Sequence, residues 1–430
     1  MTRKSAPCET RLGRRALLGT AGAAVGSGAI TGFPTIWAQN IKDVVLQHAG
    51  PPVTAIPAIA DQATKDLGFT VHMQATENAD LLNRFLSQSS SIDCADVSVV
   101  FMKYLVGRDI LQTIPVAKIK DWDKTIPIFT KGEYPDGRKA SRQGVMPLNV
   151  LYTTSEDGKK VSDGTPTDWV TGIPTVINGD TLGIRPDLVE RPVTSWADLL
   201  SSDFKGKAAL QDQPTVGVID VAMAVEARGD IHYGDKGNMT KEEIDKTMKM
   251  MTDIKKSGQF RSFWGSFDQS VNLMASGEVV IQSMWSPAVA AVRSRGIACT
   301  FQPLKEGYRG WGYTLGAMKH LTGLKLDCFH EYMNWYTSGF QGAFIAREGY
   351  YSAQPENTRK FLTEAEWDYW YGGKPAATDI MNPFGKLQEK AGVTRDGGSF
   401  WQRLGNIAVW NSVMDEDRYL TRKWNEFITS

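Results

Sequence analysis

The side chains that could carry covalent or metal chemistry are few in this sequence, and they are poorly spaced. His330 opens the run HEYMN, which lacks the second histidine that a zinc-binding H-E-x-x-H helix needs to put two imidazoles on one face. Ser202 to Lys205 reads S-x-x-K, yet neither S-D-N nor K-T-G accompanies it. There is no G-x-S-x-G elbow and no C-x-x-C pair, and the histidines are scattered at His48, His72, His232, His320 and His330. Tyr350 and Tyr351 could ligate ferric iron as a pair, or form a packed aromatic turn. The balance predicts a protein that is not an enzyme and uses no cofactor or metal. An exported hydrolase and a ferric-ion binder stand as rival classes.

Binding signals are better placed. In EVVIQSMWSPAVAAV, Trp285 follows a short apolar strand and precedes a helix. Ligands of doubly wound sheets sit beyond the carboxyl ends of strands. The free N–H groups of a helix start can take a carboxylate there, and an indole face can stack on a ligand or attract a cation.

That placement requires strands and helices in alternation, and the pattern supplies them. KDVVLQ, FTVHMQA and DVSVVF read as strands, separated by helices over VTAIPAIADQATKDLG and NADLLNRFLSQ. Such alternation makes a parallel sheet, because parallel strands need a crossover. Residues 119–172 interrupt it with Gly, Lys and Asp-rich stretches that read as surface loops or lids. The pattern restarts with IPTVINGDTLGI as a strand, TSWADLL as a short capped helix and KAALQD as a strand. Helices follow over 215–227, from Thr240 to Gly258 with a capping box at Thr240 and Glu243, and from Ser266 to Gly277. SPAVAAVRSRG predicts a further helix with Ser286 as its N-cap and Pro287 at its first position. A strand TLGAM, a helix near 327–340 and an aromatic C-terminal stretch of roughly helical spacing complete the chain. Two α/β lobes in one chain suggest a clamshell.

The N-terminus carries an address. Residues 16–41 hold no charge, but five glycines between Ala16 and Phe33 make them a weak membrane span. Arg14 and Arg15 before this mildly apolar segment resemble a twin-arginine signal, with cleavage expected after about Ala38. The expected location is periplasmic, and the export machinery is an expected partner. Five basic residues and one acid leave with the signal, so the remainder is slightly acidic, which argues against nucleic acid. Cys94, Cys299 and Cys328 remain. Their odd number leaves a Cys299–Cys328 bridge or three free thiols open.

Four runs in order, TSWADLLSSDFKGKAALQD, LMASGEVVIQSMWSPAVAAVRSRG, GWGYTLGAM and REGYYSAQPEN, resemble the periplasmic spermidine/putrescine-binding proteins of ABC importers. The resemblance covers most of residues 40–360. It implies an α/β, two-lobe periplasmic-binding-protein fold of type II, each lobe a mostly parallel sheet flanked by helices, with a hinged cleft between. One lobe is then 39–175 with 314–360, the other 176–313, with 361–430 a helical segment packed on them and crossings near Pro174 and Tyr313. Trp285 and Trp311 fall on family tryptophans that line the cleft.

Departures bear on the ligand. Tyr313 stands where polyamine binders carry an Asp, the turn QDQPTVGV has Asp212 but no later acid before Asp220, and VVFMKY puts Phe101 and Lys103 near the cleft. Polyamines need several carboxylates, because a desolvated cation without a partner is costly. The expected ligand is therefore a small amino acid-like zwitterion or carboxylate, with a polyamine as the alternative. Asp180 or Asp268 remains to hold one amine. The expected assembly is a monomer that delivers solute to an ABC permease.

Overall fold

The computed structural model describes residues 41–430; Arg14, Arg15 and the cleavage site expected after Ala38 lie outside them. Three parallel strands open the fold: β1 (Val45–Gly50), β2 (Thr70–Ala75) and β3 (Cys94–Ser98). They alternate with helices α1 (Pro57–Leu67) and α2 (Asn78–Ser87), and α1 stops at Gly68 in the left-handed conformation expected of a glycine cap. A short α3 (Met102–Leu105) follows β3 through one 3-10 turn.

The segment 119–172 is more than solvated loop. Its short helices Pro127–Thr130 and Pro147–Leu151 bury Ile128, Phe129, Leu148 and Leu151. A side chain at Gly312 would strike the ring of Phe129, so the segment packs tightly on the strand that carries Trp311.

β4 (Ile173–Ile184) is one strand of twelve residues, buried throughout. Its polar residues Thr175, Asn178, Asp180 and Thr181 are buried along with the apolar ones. The second βα series consists of β5 (Ala208–Gln211), α4 (Pro214–Arg228), α5 (Lys241–Lys256), β6 (Phe260–Trp264), α6 (Phe267–Ser276), β7 (Ile281–Met284) and α7 (Ser286–Arg293). The capping box of Thr240 and Glu243 forms at α5. At α7, by contrast, Trp285 holds the N-cap position and Ser286 is the first helical residue, one place earlier than the Ser-Pro signal suggests.

β8 (Tyr308–Met318) then returns antiparallel to both β3 and β4, followed by α8 (Gly323–Tyr336) and α9 (Phe340–Ala346). The strand TLGAM is thus the second half of a longer one, and the helix near 327–340 is two helices. The main sheet runs β2-β1-β3-β8-β4-β7-β5-β6. Its two ends are parallel triplets, and the long antiparallel strands β4 and β8 join them into one mixed sheet.

The C-terminal stretch is mixed rather than helical. It holds a small two-stranded sheet (Ile380–Met381 with Leu387–Glu389), β9 (Ile407–Trp410) paired with β8, and α10 (Asp417–Thr429). α10 buries Leu420, Trp424 and Phe427, spaced four and three apart, in the same apolar cluster as α4 and α5. Cys94, Cys299 and Cys328 are all free and buried. Burial pushes the Cys299 thiol up to about 12 and that of Cys328 to about 11, so neither is a ready thiolate.

Candidate functional site

Two long strands bring the predicted residues together. Arg309 and Trp311 of β8 lie opposite Asp180 and Asn178 of β4. The Trp311 indole Nε1 donates to Asp180 Oδ2 at 2.9 Å. Its ring meets Tyr313 edge-on at 5.5 Å and Tyr350 at 6.0 Å. The Tyr313 hydroxyl exchanges hydrogen bonds with Asn78 at the start of α2, at 3.0 and 3.2 Å. Trp311 and Tyr350 keep partly exposed faces, while Tyr313 is buried.

Asp180 is part of a buried charge network. Arg309 Nε donates to Asp220 at 2.7 Å, its Nη2 lies 3.3 Å from Asp180, and its Nη1 donates to Asn411 at 2.6 Å. One guanidinium thus serves two carboxylates, all nearly sealed from water. Burial pushes the Asp180 carboxyl up to about 7, opposed by Arg309 and reinforced by Asp220. Burial also raises Asp220. One oxygen of each acid has no hydrogen-bond partner among the described residues.

Glu348 was not singled out by sequence. Its neighbour Arg347 is committed to Glu366 through two hydrogen bonds, of 2.5 and 2.9 Å. Glu348 has no ion pair among the described residues, and burial pushes its carboxyl up to about 7. Its charge, with that of Asp180, raises the Tyr350 phenol after burial itself. Gly349, at φ 96°, carries the chain against the first turn of α7 next to Ser286 and Pro287. An acid flanked by an arginine and two tyrosines, REGYY, was the available signal.

A second aromatic group lies beyond the carboxyl ends of β6 and β7. Trp285 stacks on Phe267 at 6.3 Å and 19°, and meets Trp264 edge-on at 5.0 Å. Phe267 and Asp268 are exposed at the start of α6, and Asp268 has no salt bridge among the described residues. In the neighbouring turn Asp212 receives the Trp424 indole at 2.8 Å. That acid anchors α10, and Asp220 anchors Arg309.

Two predicted residues are used by the protein itself. The Lys103 ammonium contacts Asp415 at 2.7 Å and the carbonyls of Met414 and Val413 at 3.1 and 3.3 Å. Phe101 is buried in the core. Tyr350 and Tyr351 keep separate company: Tyr350 meets Trp311, whereas Tyr351 packs on Tyr371 and Phe400 beneath Arg395. Their rings thus pack in different surroundings. A hollow of about 610 Å³ between α4 and α5, lined by Arg228, Lys246, Lys249 and Asp253, gathers none of these residues.

The arrangement can hold a small solute between indole and phenol faces, with carboxylates for an ammonium group.

Comparison with known proteins bears on the fold and the family. A search of characterised protein sequences finds no match. Among solved structures, the spermidine/putrescine ABC transporter substrate-binding protein of Streptococcus pneumoniae aligns with a TM-score of 0.58 at 13% identity, covering 90% of this chain and 97% of that one. A GABA receptor aligns with a TM-score of 0.57 at 17% identity, covering 90% and 98%. The binding protein AgtB of A. tumefacien R10, in complex with agropinic acid, gives 0.56 at 13%, covering 90% and 99%. These neighbours share a two-lobe binding-protein fold, so the mixed sheet joined by β4 and β8 is that architecture. A family model described as bacterial extracellular solute-binding protein matches residues 58–356, from α1 to the segment after Tyr350. The chain belongs to the bacterial extracellular solute-binding proteins.

Proposed function

We propose that this protein is the exported, periplasmic receptor of an ABC importer, and that it captures a small amino acid-like zwitterion. The observation that carries the reading is the convergence of Trp311, Tyr313, Tyr350, Asp180 and Glu348 where β4 meets β8. A partly buried acid without a cation is costly to ionise, and a ligand ammonium supplies the missing partner. Trp285 and Phe267, with Asp268 beside them, form the opposing wall. The first turn of α7 offers N–H groups to the ligand's carboxylate. Lys103 and Phe101 act behind this surface, the lysine by tying α3 to residues 413–415.

In this reading 39–175 with 314–360 form one lobe and 176–313 the other, and 361–430 braces both. Lobe closure about β4 and β8 completes the ligand contacts. Arg14 and Arg15 direct twin-arginine export, cleavage follows about Ala38, and a monomer delivers solute to the permease without chemical change.

A polyamine is the second reading, favoured by the solutes named for the S. pneumoniae neighbour. The test is a thermal-shift screen against amino acids, small carboxylates, polyamines, quaternary amines and sugars. A true ligand at 100 times its dissociation constant adds about 2.7 kcal/mol. Stabilisation by a γ-aminobutyrate-like zwitterion supports the first reading, and a larger shift with putrescine or spermidine selects the second. Turnover of a bound solute would return the protein to the hydrolase class.

A further inference from the structure

Behind the Gly349 segment lies a cluster of cations that the solute site does not use. Arg395 and Arg403 are 4% and 2% exposed. The Arg395 guanidinium stacks on Tyr351 and Trp370 at 4.5 Å each, and that of Arg403 lies 4.7 Å from the Phe301 ring and 5.6 Å from Tyr351. Their hydrogen bonds go only to carbonyls: Arg395 donates to Gly349 at 2.8 Å and Trp370 at 3.5 Å, and Arg403 to Asp396 at 3.3 Å.

Neither has a carboxylate within salt-bridge distance among the described residues. The two local acids are taken by a third arginine: Arg293 contacts Glu389 at 3.2 Å and Asp396 at 2.5 Å. Asp180, whose carboxyl also feels the Arg403 charge, is committed to Trp311 and Arg309. Arg395 Nε, Arg403 Nε and Nη2, and Trp370 Nε1 are buried donors with no acceptor among the described residues, and the buried hydroxyls of Tyr308 and Tyr351 are equally unpaired. Burial and the neighbouring Arg403 pull Arg395 below the usual arginine range. A void of about 20 Å³ touches Arg293, Arg395, Arg403 and Trp370, and the carboxylates of Glu389 and Asp396, both held by Arg293, line it as well. A space of about 10–15 Å³ on this scale is enough for one water-sized occupant.

Three guanidinium groups against two carboxylates, with every spare group able to donate, call for an acceptor that carries negative charge. We propose that this void is a binding site for a small monovalent anion of chloride size, held by Arg395 and Arg403. Because Arg395 also holds the Gly349 carbonyl, the anion fixes the segment that presents Glu348 and Tyr350.

Two measurements on the purified protein test this. Crystals soaked in sodium bromide are expected to show an anomalous peak within about 3.5 Å of both guanidinium groups. In solution, melting in chloride should exceed melting in gluconate at equal ionic strength by about 3 °C near saturation. Arg403→Met should erase that difference. If the variant fails to fold, the bromide peak in the wild type still decides the matter. Identical melting in the two salts, or density at the site without anomalous signal, overturns the proposal and makes the occupant water.

Discussion

The indole nitrogen of Trp311 donates to the buried carboxylate of Asp180 across 2.9 Å, from one of the two strands that join the lobes to the other. The bond orients an aromatic wall and spends an acid that could otherwise meet the ligand directly. Trp311→Phe keeps the ring but leaves Asp180 one partner short. It should cost about 1–3 kcal/mol of stability, the range for a buried acceptor left unpaired. Urea unfolding measures the stability, and solute affinity is expected to fall at least about tenfold as the wall turns.

Glu348 sets the pH dependence. Its folded pKa, about 7, lies above the ordinary 4.5, so ionising it costs the folded state, and this cost grows as pH rises from 4.5 through 7. Glu348→Gln should therefore add on the order of 1–2 kcal/mol of stability at pH 8 and little at pH 5, seen in denaturant melts at both. Ligand binding runs the other way. An ammonium that needs the carboxylate should bind about tenfold more weakly at pH 6 than at pH 8, and the glutamine variant should show a shallower profile, because Asp180, also pushed up to about 7, still titrates there.

Lys103 and Asp415 stand 312 positions apart and form one clasp. Tyr104 bonds to Asp417 beside it, at the start of α10. The pair is exposed, so each of Lys103→Ala and Asp415→Ala should lose no more than about 1 kcal/mol. The two should be non-additive in a double-mutant cycle. A direct contact of Lys103 with the ligand predicts instead that Lys103→Ala alone abolishes binding while Asp415→Ala spares it.

Arg309 is the least replaceable of these residues. Arg309→Leu leaves Asp180 and Asp220 buried without a counter-charge and should destabilise the protein by about 3–5 kcal/mol. The unfolding midpoint in guanidinium chloride reads this out.

The residues that sequence could place were those whose position follows from a local rule. Trp285 follows a short apolar strand and precedes Ser-Pro, so its place beyond the strand end was legible, although Trp285 and not Ser286 became the cap. Thr240 and Glu243 lie three apart and make their box. Long-range partners carry no such signature. Nothing near Lys103 announces Asp415, and nothing near Asp212 announces that Trp424 will occupy it. Among the described residues the Glu348 carboxylate has no ion pair, and Arg347 beside it turns to Glu366, nineteen residues away. In the C-terminal stretch, aromatic residues at loose spacing fit a helix on paper. IAVW pairs instead as β9 with the edge of β8 at Tyr308, because a tertiary partner outweighs weak periodicity.

In the proposed reading a small solute with one ammonium and one carboxylate is held between Trp285 and the Trp311–Glu348 group. Calorimetric titration of the protein with γ-aminobutyrate and related zwitterions, beside putrescine and spermidine, tests it most directly. The account predicts one-to-one binding of a zwitterion, weakened at least about tenfold by Trp285→Ala and by Glu348→Gln, with the polyamines weaker. Tighter binding of putrescine or spermidine than of every zwitterion, or zwitterion binding untouched by both substitutions, would contradict it.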